Sequence, residues 1–171
     1  MAENEFVISD NHLGHRGILG LEPESRAFCS IEEHDLAQVR AHNSVIHSNK
    51  CVVWFLGDVV WNAYGFRSLS KMRGRKYLVL GNHDTYPADR YLKYFSKVFG
   101  VASVGEFILS HVPVHPCQFT RYKGNIHGHL HSKVVGDNHY ENVCVERVGF
   151  TPVPLDTVID NIRKRMGSGG L

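Results

Sequence analysis

Short apolar runs punctuate the first three quarters of the chain, and each ends abruptly in polar residues. They are Phe6-Val7-Ile8, Val52-Val53-Trp54-Phe55-Leu56, Tyr77-Leu78-Val79-Leu80, Phe107-Ile108-Leu109 and Asn125-Ile126. Their length and their β-branched and aromatic content predict strands. Because the runs are apolar throughout rather than alternating, the strands should be covered on both faces. The stretches between them read as helices. Ser30 and Glu33 carry the capping-box signature of a helix expected over residues 31–47, with Leu36, Val39, Asn43 and Ile46 on one face. Pro87 marks the first turn of a helix over residues 87–95. Shorter helical patterns cover residues 65–72 and 155–165, and strands are expected at Val134-Val135 and over residues 142–145. Strands alternating with helices predict an α/β layered fold.

The polar residues after each run are as restrictive as the run itself. Asp10-Asn11-His12 comes after the first, Gly57-Asp58 after the second and Gly81-Asn82-His83-Asp84 after the third. His111 comes after the fourth, and His127-Gly128-His129-Leu130-His131 after the fifth. In layered α/β folds, sites gather at the carboxyl ends of strands, so residues spread along the chain can converge. The donors are carboxylate, imidazole and side-chain amide, with no thiolate. That set suits Mn, Fe, Zn or Ni better than a structural zinc site. It is too large for one ion. On extended segments, Asp10 with His12 and His129 with His131 would each share a face.

Composition narrows the partners. The chain holds 12 histidines, and its 19 basic and 17 acidic residues leave a net charge of +2. Wrapping long nucleic acid needs a stronger basic surface, whereas a small anionic substrate is compatible. The cysteines Cys29, Cys51, Cys117 and Cys144 are widely spaced, and Cys51 and Cys144, in apolar runs, are expected to be reduced core residues. No secretory signal and no membrane-length apolar stretch is visible, so a cytoplasmic protein is expected, bacterial or phage-encoded in a host. Its 171 residues suit one domain over residues 1–166, with residues 167–171 as a flexible tail.

Together, Asp10-x-His12, Gly57-Asp58, Gly81-Asn82-His83-Asp84, His111 and Gly128-His129-x-His131 resemble the calcineurin-like metallophosphoesterases in order and rough spacing. Ser9-Asp10-Asn11-His12-Leu13-Gly14-His15 and the short length resemble the small bacterial and phage members. The resemblance implies a two-sheet β-sandwich flanked by helices. It implies two divalent metal ions, Mn foremost. Asp10, His12 and His131 would hold one; Asn82, His111 and His129 would hold the other; Asp58 would bridge them. A bridging hydroxide would attack phosphorus, and His83 would be proton donor or phosphate contact. Asn82, His83, His15 and Arg121 are the expected substrate contacts. The expected substrate is a phosphodiester of a nucleotide or another small molecule. A phosphomonoesterase (small-molecule or phosphoprotein phosphatase) is the alternative, and a non-catalytic metal-binding scaffold the third reading.

One departure from the family's pattern stands out. Many members carry a second Asp three residues after the bridging one, and here that residue is Trp61, followed by Asn62. Asp84 is expected to cap the following helix. Of the remaining histidines, His127 reads as a core or supporting residue, and His34, His42 and His47 as exposed or half-packed on the first long helix. The basic run over residues 71–76 reads as a solvated turn.

Overall fold

The computed structural model describes residues 4–167. Its strands, in chain order, are β1 (Glu5–Ile8), β2 (Val52–Phe55), β3 (Arg75–Val79), β4 (Lys97–Phe99), β5 (Ala102–Val104), β6 (Phe107–Leu109), β7 (Gly124–His127), β8 (Tyr140–Asn142) and β9 (Val153–Pro154). The helices are α1 (Ile18–Leu21), α2 (Ile31–Val45), α3 (Gly65–Leu69), α4 (Ala88–Tyr91), α5 (Val145–Val148) and α6 (Leu155–Gly167). The strands form two mixed sheets flanked by helices. One has the order β4-β3-β2-β1-β9, with β1 to β4 parallel and β9 antiparallel to β1. The other has the order β5-β6-β7-β8, with β6, β7 and β8 parallel and β5 antiparallel.

Alternation along the first sheet splits the core in two. Ile8, Val53, Phe55 and Leu78 face a cluster with Val39, Phe66, Leu69, Tyr91 and Phe95. Val7, Val52, Trp54, Tyr77 and Val79 face the opposite way, onto Phe107, Leu109 and Ile126 of the second sheet and Leu155, Val158 and Ile162 of α6. Burial of both faces explains why these strands are apolar at every position. The sheets meet where the chain leaves β1: Ser9 N–H donates to Val143 O at 2.9 Å, and Val145 N–H donates to Ser9 O at 3.0 Å.

Helix α2 departs from expectation in its face. Ser30 Oγ accepts from Glu33 N–H at 3.1 Å as predicted, while the Glu33 carboxylate takes the Cys29 N–H at 2.8 Å, one residue before the usual partner. The buried stripe is Ile31, His34, Asp35, Gln38, Val39 and His42, whereas Leu36 is exposed. The spacing is helical, but the stripe is largely polar because its side chains are hydrogen-bonded. His34 and His42 are therefore fully buried, against expectation, and His47 lies exposed beyond the end of the helix.

Other boundaries also move. α3 and α4 are shorter than expected, and Pro87 is the N-cap of α4 rather than within it. Val134-Val135 lies in a loop, not a strand. The Asn142 amide staples that loop by donating to His131 O at 2.9 Å and Lys133 O at 2.7 Å, and the β7 ladder is taken by residues 140–142 instead. Residue 145 opens a helix, not a strand. Gly167, expected in the tail, closes α6; the rest of that tail lies outside the described residues. The strands β4, β5 and β9 were not visible in the pattern, being three residues long or fewer. Among the described residues, no helix is long and apolar enough to cross a membrane.

Candidate metal centre

Each of the five expected strands stops within three residues of a proposed ligand: β1 before Asp10, β2 before Asp58, β3 before Asn82, β6 before His111 and β7 before His129. The backbone then turns sharply. Asp10, His12, Asp58, His129 and His131 all adopt the left-handed region, with φ from 49° to 69°. Such a conformation is uncommon for residues other than Gly and costs about 1–2 kcal/mol each. The pairs Asp10/His12 and His129/His131 thus converge through left-handed turns rather than through the pleat of an extended segment, which corrects the expectation. Glycines make room. A Cβ on Gly128 would collide with Ser9 Oγ and Asp10 Oδ2, and one on Gly57 would lie 2.6 Å from His111 Nδ1.

All seven proposed ligands come together, in two groups. In the first, Asp10 Oδ1 lies 3.8 Å from His12 Nε2 and 3.9 Å from His131 Nε2. Ligands on a tetrahedral ion with bonds of about 2.1 Å stand about 3.4 Å apart, so closure by a few tenths of an ångström would fit a metal. Asp10 Oδ1 and His12 Nε2 are both buried and have no hydrogen-bond partner. Buried polar atoms are seldom left so, and here they point at one shared space. In the second group, His111 Nε2 lies 2.9 Å from Asn82 Oδ1, 3.2 Å from His129 Nδ1 and 3.4 Å from Asp58 Oδ2. Asp58 Oδ2 also lies 3.8 Å from His12 Nε2, between the groups. Asp10, Asp58 and His111 are close enough to share an ion as well. Asp10 Oδ2, however, already accepts from Ser9 Oγ, His129 N–H and Cys144 Sγ, so Oδ1 is its free atom.

The electrostatics reflect this crowding. Burial favours a protonated Asp10, but the nearby His12 ring, 3.8 Å away, and the charge of His111 outweigh it and hold the carboxyl below its usual range. Burial likewise disfavours a charged His111, yet its bond to Asp58 and the charges of Asp10 and Asp58 raise it to about 9. An ion would have to displace that proton.

His83 stands apart from the ligands. Its side chain is 45% exposed, with Nε2 4.0 Å from Asp58 Oδ2. Three residues after Asp58, the Trp61 ring lies 4.8 Å from the His83 ring. Asp84 is not a helix cap. Its buried carboxylate accepts from Asp58, Val59 and Gly81 N–H at 2.8, 3.2 and 2.9 Å, tying the loop after β2 to the loop after β3. His15, expected as a substrate contact, sits between His12 and Trp61. Its ring is stacked on Trp61 at 3.6 Å, its Nδ1 is 3.1 Å from His12 Nδ1, and burial with the charges of His12 and His83 lowers its pKa to about 4. Arg121 is exposed, its guanidinium 5.5 Å over the Tyr122 ring. His127 is buried with Nδ1 on Gly128 O at 2.8 Å, as a supporting residue would be.

Sequence reasoning missed the residues behind the ligands. Glu146 Oε1 lies 2.9 Å from His131 Nδ1, leaving Nε2 to face Asp10. Arg26, 1% exposed, pairs with Glu146 at 2.6 Å and donates to Asp10 O at 2.6 Å and Asn11 O at 3.2 Å. Carboxylates that fix the free nitrogen of a ligating His commonly tune metal sites. Neither residue lies in a motif, and no local signal marks them. On α2, Gln38 bonds Asn11, and Asp35 accepts from Gly14 N–H at 3.0 Å, bracing the turn around His12.

No family model matches the chain. An uncharacterized protein of Methanocaldococcus jannaschii, MJ1445, is 27% identical over 93% of this chain and 91% of its own. The Gene 66 protein of Mycobacterium phage L5 is 28% identical over 80% of this chain and 81% of its own. Among solved structures, the protein of unknown function AQ665 from Aquifex aeolicus has a TM-score of 0.74 at 24% identity, covering 92% of this chain and 98% of that one. That likeness shows a shared fold. A predicted phosphoesterase from Streptococcus pneumoniae reaches a TM-score of only 0.36 at 15% identity, covering 84% of this chain and 72% of that one, too low to carry an argument.

Proposed function

We propose that the protein is a metal-dependent phosphoesterase of the calcineurin-like kind, its two sheets the halves of a β-sandwich. The observation that carries this reading is the buried, unpartnered pair Asp10 Oδ1 and His12 Nε2, set 3.8 Å apart among five further donors. In this reading Asp10, His12 and His131 hold one divalent ion, Asn82, His111 and His129 hold a second, and Asp58 lies between them. Manganese leads, with Fe, Zn or Ni also suited to these donors. Bound ions supply a nucleophile at neutral pH and neutralise phosphoryl charge. The chain's own part is to fix those donors on strained turns and to offer His83, exposed beside Asp58, as proton donor to the leaving oxygen.

The favoured substrate is a phosphodiester of a nucleotide or small molecule. A monoester brings a second negative charge, and the cations near the site are poorly placed to meet it. Arg26 is paired with Glu146, His15 is neutral at pH 7, and Arg121 lies against Tyr122. A direct comparison tests this. The Mn-loaded protein should turn over bis-p-nitrophenyl phosphate faster than p-nitrophenyl phosphate. Faster cleavage of the monoester would replace the proposal with a phosphomonoesterase.

A further inference from the structure

Trp61 is unusual beside so polar a centre. It is 40% exposed, although an indole left in water forgoes the free energy of its burial. It is nevertheless held firmly. Its backbone N–H donates to Leu13 O at 3.0 Å, and the His15 ring lies against it at 3.6 Å with planes 6° apart. His15 in turn is fixed by its Nδ1 contact with His12. The His83 ring lies 4.8 Å from the indole, tilted at 52°, and the His12 ring 6.2 Å away. One ring of this stack thus backs the indole, another ring flanks it, and the remainder opens to solvent at the edge of the ligand cluster. Tyr64, three residues on, is 41% exposed.

We propose that Trp61, backed by His15, is the platform on which a planar aromatic substituent of the substrate stacks, specifically a nucleobase. The substrate class is then a nucleoside phosphoester, whose phosphoryl group reaches the Asp10–Asp58 cluster across the ribose. Stacking suits this position. A fixed indole loses little conformational freedom on binding, every base offers a π-face, and base–aromatic stacking contributes strongly to affinity without hydrogen-bond readout. The substrate class rests on the phosphoester reading, whereas the platform can be tested without catalysis.

The chain has two tryptophans, and Trp54 is buried. In a Trp54→Phe variant of the full chain, Trp61 is therefore the sole indole emitter. With Zn loaded, AMP should quench this emission saturably. Ribose 5-phosphate, read by competition against AMP, should bind at least about 10-fold more weakly. No saturable quench, or equal affinities, would overturn the platform. Hydrolysis gives a second reading. Trp61→Ala should raise KM at least about 10-fold more for thymidine 5′-(p-nitrophenyl phosphate) than for methyl p-nitrophenyl phosphate, with Trp61→Phe restoring most of the difference. An equal rise for both esters would mean that Trp61 merely props the site and would also overturn the proposal. If neither ester is cleaved with any metal, the phosphoester reading fails, and the quench alone decides the platform.

Discussion

Glu146 reaches its position 120 residues along the chain from Arg26, and the two together set the ring of His131. Burial disfavours a charged Glu146, but its bond to His131 and the charge of Arg26 keep its pKa low. Glu146→Gln should weaken metal binding by about 10–100-fold while the fold persists, because partners of this kind typically contribute that much. Equilibrium dialysis with Mn measures it, and unchanged affinity would show that His131 needs no such support. His83→Ala should lower turnover of bis-p-nitrophenyl phosphate by roughly 10²–10⁴-fold with metal content preserved. Metal loss in that variant would make His83 a ligand instead. The difference in legibility between these residues has a physical cause. Asp10, Asp58, Asn82, His111 and His129 could be read because each follows an apolar strand by a short, fixed step. Glu146 and Arg26 could not, because nothing local sets them apart from any surface pair, and only the fold brings them together.

At the level of elements, α2 shows where pattern reading fails. Its capping signature was legible, being a matter of residues 30 and 33 alone. Its buried face was not, because apolar periodicity cannot find a stripe made of His34, Asp35, Gln38 and His42. These residues are buried because the turns around Asn11, Gly14 and Arg73 need their hydrogen bonds. One of them should make stability depend on pH. His42 bonds Arg73 O at 2.8 Å, and burial, opposed by that bond, lowers its pKa from 6.5 to about 4. Between those values the unfolded chain binds a proton that the folded chain does not, so stability falls as pH drops through this window. His42→Gln keeps an N–H donor but cannot titrate. Urea unfolding of the metal-free protein between pH 4.5 and 6.5 should show a shallower pH slope in the variant, the difference being on the order of 3 kcal/mol at most. Superimposable slopes would show that His42 is protonated in the fold.

For the molecule as a whole, the parallel strands of both sheets deliver their carboxyl ends to one place, and the Ser9 link to Val143 and Val145 joins the sheets there. That convergence could be anticipated from the repeated strand-then-ligand order. The left-handed turns that complete it could not, since φ is not written in residue type for Asp or His. Those turns should form a site for two ions, and titration calorimetry with Mn at pH 7.5 tests this most directly. The expected stoichiometry is two ions per chain, with a heat that varies with the buffer's ionisation enthalpy because His111, raised to about 9, must release its proton. A stoichiometry of one or none would contradict the two-ion site.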